Sequence, residues 1–212
     1  ACKMRVVGRD GFSVENCVRR VEAARRGIGP NVELMVDAHA SLETPVAIKI
    51  AKALEPYDIA WFEEPVSPDN HAGMAEVRRS TRIPIASGER EFSRYGFKSM
   101  LDHGAIDVAQ PDVARAGGLT EIRRIAALTG AYDVRLAPHA WGSGVLFAAS
   151  LHVALTLSNS PGNESLVAAL ASQLARLQPK ISLWIVLHAA ENPTSERTVQ
   201  QVRPLLQPLA PA

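Results

Sequence analysis

Cysteine is nearly absent: only Cys2 and Cys17 occur in the 212 residues. Two thiols near one end are no disulfide framework, so a reducing cytoplasm is the expected compartment. Long apolar runs are missing too. None approaches the ~20 residues that a membrane-spanning helix needs. No basic start followed by an apolar core marks a secretory leader, and no membrane partner is expected. An excess of one charge is also lacking: 23 Lys and Arg stand against 22 Asp and Glu, for a net charge of +1. The basic residues are scattered and form no stripe interleaved with aromatics, so nucleic acid is not an expected partner.

What remains is the composition of a globular protein, 47% hydrophobic and 21% charged. The opening ACKMRVV reads as a strand with nothing before it, which suggests a chain cut out of something longer. From residue 3 to about 158, strand-like and helix-like segments alternate. The strands are expected at Lys3–Val7, Val32–Asp37, Ile59–Glu63, Ile83–Ser87, Ile106–Gln110 and Val134–Ala137. The helices between and after them are expected from Val14 (capped by Ser13, ended by Gly27 and Gly29), and over Leu42–Leu54, Asn70–Ser80, Ser93–His103, Leu119–Leu128 and Gly144–Leu157. Six βα units of similar length call for right-handed crossovers and a parallel sheet.

Three acids recur at one register. Asp37 closes VELMVD, Glu63 stands in AWFEEP and Glu89 ends PIASGE, with gaps of 26 and 26 residues. Each ends an apolar stretch and precedes a helical pattern. Three adjacent strands would then offer three carboxylates at one rim, a donor set that suits a hard divalent cation such as Mg²⁺. This favours a partial TIM-type (β/α) barrel, whose C-terminal rim carries the chemistry. The alternative is an open doubly wound sheet, which gathers its site at one switch point.

Other residues are candidates by position. His39 follows Asp37 by two and, on a strand, would share its face. His139 stands in LAPHAWGSG at a strand end, and Asp112 in QPD at the end of the strand before it. An Asp there can hydrogen-bond the imidazole and tune its basicity. His71, His103, His152 and His188 fall on helices or in the tail and are read as structural or surface residues. Lys3 and Arg5 are i, i+2 partners: two cations for a substrate carboxylate, or a solvated chain end. Gly117–Gly118 and Gly142/Gly144 precede helices and could meet an anion; tight βα turns are the preferred reading.

Residues 165–212 have another character. SLVAALASQLARLQPK could be an amphipathic helix, and ISLWIVLH a buried strand or helix core. The rest carries four prolines and no repeat. The expected organisation is a partial barrel over residues 1–164 and a divergent tail over 165–212.

The motifs VDAH, WFEEPV, IASGER, QPDVARAGG and LAPHAWGSG, in this order and spacing, resemble the mandelate racemase subgroup of the enolase superfamily. The likeness is closest to its acid-sugar dehydratases of the galactonate type, and it covers about residues 3–164. The resemblance implies a (β/α)₇β-type barrel, here without its capping domain, and Mg²⁺ held by Asp37, Glu63 and Glu89. It implies His139 as base, paired with Asp112, and His39 as the acid for the leaving hydroxyl. It places Glu164 in register with a barrel-end glutamate that hydrogen-bonds the substrate carboxylate, the group that Lys3 and Arg5 could also bind. Barrels of this family commonly assemble, so a homo-oligomer is implied too.

One departure matters. Racemases and many dehydratases of this subgroup carry Lys-x-Lys on the second strand, the second Lys a base; here the motif is Lys3-Met4-Arg5. Arginine stays protonated and is a poor base. The expected activity is a hydro-lyase reaction: Mg²⁺-dependent dehydration of a sugar acid to a 2-keto-3-deoxy acid through an enediolate. A racemase or epimerase, and a non-catalytic barrel fragment, are the alternatives.

Overall fold

A computed structural model describes residues 1–8 and 13–157. Strands β1 (Cys2–Arg5), β2 (Leu34–Asp37), β3 (Ile59–Glu63), β4 (Ile85–Ser87), β5 (Val108–Ala109) and β6 (Arg135–Leu136) alternate with helices. The helices are α1 (Val14–Ile28), α2 (Thr44–Leu54), α3 (His71–Ser80), α4 (Ser93–Asp102), α5 (Leu119–Ala131) and α6 (Gly144–Thr156).

The local signals explain the boundaries. Ser13 caps α1 by accepting from the Asn16 N–H at 3.0 Å, and Gly29, at φ 78°, ends it. Pro45 occupies the first turn of α2, where its missing N–H is an orphan in any case. Asn70 caps α3 through the Gly73 N–H at 2.9 Å, and Ser143 caps α6 through the Leu146 N–H at 3.2 Å. Most strands are shorter than expected, β1 ending at Arg5 rather than Val7 and β4 starting at Ile85 rather than Ile83, and α5 is longer. The helix expected to stop at Leu128 runs on through Gly130 to Ala131. Buried Ile125 and Thr129 on its inner face hold the last turn, and packing outweighs the ~1 kcal/mol that an internal glycine costs.

The sheet runs β1-β2-β3-β4-β5-β6, every neighbouring pair parallel. Strict sequential order has no point at which winding reverses. Crossovers of one hand in one direction put every helix on the same side of the sheet. This is barrel-type winding, and the doubly wound alternative is excluded. The inner strands are buried on both faces, all four residues of β2 and all three of β4, as parallel barrel strands require; β1 at the sheet edge keeps one face exposed. The core joins strand residues Leu34, Phe62 and Ile85 to helix residues Ile50, Leu54, Met74, Phe97, Met100, Ile122 and Ile125.

β5 and β6 are shorter than their apolar stretches suggest. Asp107 enters the ladder with its side chain, accepting from the Ile85 N–H at 2.9 Å and pairing with Arg78 at 2.8 Å. Yet pairing continues past both strand ends: Gln110 N–H donates to Ser87 O at 2.8 Å and Ala137 N–H to Ala109 O at 2.9 Å. A last parallel bridge joins Asp112 to His139. The ladder therefore carries both residues to the rim. No described helix is long and apolar enough to cross a membrane. The segment read as a tail lies outside the described residues.

Candidate active site

The strand ends converge on one acidic rim. Asp37 and Glu63 are the last residues of β2 and β3 and stand opposite each other in the register; Glu89 follows β4 by two residues. All three are buried, as are Glu64 and Asp112. Five desolvated carboxylates in one region require cations, and the structure supplies them. Lys3 pairs with Glu63 Oε1. Arg5 Nε lies 3.6 Å from Asp37 Oδ2. The two cations on the exposed face of β1 thus meet protein carboxylates rather than water alone.

The carboxyls respond differently. Burial pushes Asp37 above the usual range, and the Glu63 charge adds to it, against the His39 N–H, Lys3 and Arg5. Burial also pushes Glu63 up, but the Lys3 charge and donors from Gln110, Lys3 and Trp61 outweigh it and hold Glu63 low. Glu64 is pushed up to about 7, first by burial and then by the Glu89 charge, with Arg90 opposing.

His139 and Asp112 are joined as expected: His139 Nδ1 lies 2.8 Å from Asp112 Oδ2. The other ring nitrogen, Nε2, lies 3.3 Å from Glu89 Oε2. His39 approaches the other oxygen of the same carboxylate, its Nδ1 3.9 Å from Glu89 Oε1. The two histidines therefore share Glu89. His39 does not arrive by strand alternation. β2 ends at Asp37, and His39 sits at φ 52° in a turn closed by its own N–H donating to Asp37 Oδ1 at 2.6 Å. The left-handed turn, rather than an i, i+2 register, aims the ring.

Four neighbours stand outside the residues expected from the sequence. Glu64 is fully buried, neither carboxylate oxygen has a hydrogen-bond partner, and its nearest cations are Arg90 Nη2 at 3.4 Å and His39 Nδ1 at 3.9 Å. Arg90 also approaches Glu89 Oε1 at 3.5 Å. Trp61 and Gln110 donate to Glu63 Oε2 at 3.0 and 2.9 Å. Trp61 was findable: it precedes Glu63 by two on a strand and so shares its face. Nothing local distinguishes Glu64 or Gln110, whose surroundings come from other strands.

The donor chemistry fits a hard divalent cation, since buried oxygen donors exceed the cations placed among them. Asp37, Glu63 and Glu89 do not converge on one point here; the first two face Arg5 and Lys3. Among the described residues, the group of three whose ligand atoms lie within 4.8 Å of one another is His39, Glu64 and Glu89. Glu164 lies outside the described residues. His71 and His103 keep to structural contacts: His71 bridges Ser99 Oγ at 2.9 Å and Glu91 Oε2 at 3.2 Å, and His103 Nδ1 meets Ser99 O at 2.8 Å.

The chain is similar to several known proteins. The chain is 40% identical over 161 residues to the D-galactarolactone cycloisomerase of Agrobacterium fabrum, covering 76% of this chain and 42% of that protein. It is 43% identical over 141 residues to the D-galactonate dehydratase of Ralstonia pickettii, covering 66% and 37%. The chain thus spans less than half the length of these curated relatives. Among solved structures it resembles the 3,6-anhydro-D-galactonate cycloisomerase from Zobellia galactanivorans, with a TM-score of 0.70 and 41% identity over 74% of this chain and 44% of that one. A mandelate racemase/muconate lactonizing enzyme-like protein from Rubrobacter xylanophilus gives 0.72 and 38% over 75% and 44%. Residues 1–182 match the enolase C-terminal domain-like family, a match that reaches past residue 164 into the segment read as a tail. With this rim on this parallel sheet, the chain belongs to the enolase C-terminal domain-like family.

Proposed function

We propose that this chain carries the catalytic barrel of a sugar-acid dehydratase, acting on an aldonate to give a 2-keto-3-deoxy acid. The observation that carries the reading is the pair of histidines at the two oxygens of Glu89, His139 Nε2 at 3.3 Å and His39 Nδ1 at 3.9 Å. An elimination needs a base at the α-carbon and an acid at the β-oxygen. Two imidazoles at the two oxygens of one carboxylate supply both.

Asp37, Glu63 and Glu89 would hold Mg²⁺. Bound there, the ion would stabilise the enediolate charge that develops on the substrate carboxylate. His139 removes the α-proton at Nε2, because Asp112 holds Nδ1 and selects the tautomer whose lone pair is on Nε2. His39 gives its proton to the departing 3-hydroxyl oxygen. The C–O bond breaks with the electron pair leaving as water, and the enol tautomerises to the ketone. Lys3, Arg5 and Glu164 bind the substrate carboxylate. Arg5 in place of a second lysine base disfavours a racemase.

A second reading is favoured by two relatives named as cycloisomerases. The same base and acid would serve an elimination in which the leaving oxygen belongs to the substrate's own ring.

The test is proton NMR in D₂O on the full chain with Mg²⁺ and a panel of aldonic acids and sugar-acid lactones. A 2-keto-3-deoxy product from an open-chain acid supports the dehydratase. A keto acid from a cyclic substrate alone supports the second reading. Retention of every α-proton signal counts against both.

A further inference from the structure

We propose that Trp61 and Gln110 are positioning residues that fix the Glu63 carboxylate so that it presents a single oxygen, Oε1, to a divalent cation. The inference rests on the cation reading above and goes beyond it by assigning two residues outside the acidic set. Glu63 is 1% exposed, so water does not orient it. Its Oε2 accepts from Trp61 Nε1 at 3.0 Å and from Gln110 Nε2 at 2.9 Å. Two donors fill the two lone-pair directions of that oxygen. Oε1 alone remains for a cation, and the Lys3 ammonium stands on it here.

The Gln110 amide supplies an independent sign that this geometry is imposed. Glu63 as a carboxylate offers no proton, so only the amide nitrogen can face it. The amide oxygen, Oε1 of Gln110, is then left buried without a partner. An orphaned buried acceptor costs on the order of 1–3 kcal/mol. An apolar side chain of the same shape would avoid that cost. Retaining the amide makes sense where orienting Glu63 serves binding. The two donors also come from different places, Trp61 on β3 itself and Gln110 just past β5, so the carboxylate is clamped from its own strand and from across the rim. Partners of this kind typically contribute 10–100-fold to metal affinity.

The experiment is Mg²⁺ calorimetry and Mn²⁺ electron paramagnetic resonance on the full 212-residue chain, beside Trp61→Phe, Gln110→Met and Lys3→Met. Urea unfolding in chelator reports folding separately. The expected result is affinity about 10–100-fold weaker in Trp61→Phe and in Gln110→Met, with both still folded. Lys3→Met, which removes the competing cation from Oε1, should bind at least as tightly as the parent. Parent-like affinity, within about twofold, in folded Trp61→Phe and Gln110→Met overturns the positioning role and leaves the cation reading standing. Absence of binding in the unsubstituted chain overturns the cation reading, and the positioning role with it. If Gln110→Met does not fold, the partly exposed Trp61 carries the test alone through Trp61→Phe.

Discussion

Asp112 and His139 are joined twice, by a parallel backbone bridge at the end of the β5–β6 ladder and by a 2.8 Å contact between Asp112 Oδ2 and His139 Nδ1. The backbone places both residues before the side chains meet. A base so held loses little freedom on reaching its reactive geometry. Asp112→Asn should therefore leave the fold intact but offer an amide that can stabilise the wrong tautomer. Turnover of the proposed substrate should fall by about 10²–10⁴-fold, with Mg²⁺ affinity unchanged. Steady-state rates and calorimetry check this together; a variant with parent-like turnover would remove Asp112 from the mechanism.

The two histidines should separate by isotope. In D₂O, His39→Asn should still exchange the substrate α-proton, because His139 is intact, but release no keto acid. His139→Asn should do neither. Exchange surviving in His139→Asn would mean that another group is the base.

Glu64 should leave a mark on stability. Its folded value of about 7 lies above the ordinary 4.5. Between those values the folded state holds the extra proton, so stability falls as pH rises through the window. At low pH both states are protonated and no difference remains. Glu64→Gln removes this dependence. The stability gap between variant and parent in chelator should move in the variant's favour by about 3 kcal/mol from pH 4.5 to above 7. Urea midpoints at several pH values test it. Parallel curves would show that the carboxyl titrates normally.

Gly88 sits immediately before Glu89 at φ 133°, and an added Cβ would meet Phe97 Cε1 at 2.7 Å and the Gln110 backbone nitrogen at 3.1 Å. Gly88→Ala combines a strained backbone with a blocked core contact. It should destabilise the chain by about 1–3 kcal/mol and, by displacing Glu89, weaken Mg²⁺ binding as well. Circular dichroism on denaturant titration reads the first effect and calorimetry the second.

Much of this is legible in the amino-acid sequence. The β3 limits Ile59–Glu63 and the Ser13 cap follow from local chemistry. The spacing of Asp37, Glu63 and Glu89 placed them at strand ends because side chains near strand termini follow chain position. The Gly130 turn of α5 was not legible, since packing of Ile125 and Thr129 decides it. Nor was the aim of His39, which follows from a left-handed turn that its sequence does not announce.

By itself the sequence determined the βα repeat, the ends of most elements and the strand-end acids, because periodicity, capping and turn chemistry act within a few residues. The tertiary structure decided the strand order, the burial of Glu64 between His39 and Arg90, and the hold of Trp61, Gln110 and Lys3 on Glu63. Those contacts join residues as many as 60 apart in the chain. Their energies depend on desolvation and on distances that exist only once the strands lie side by side.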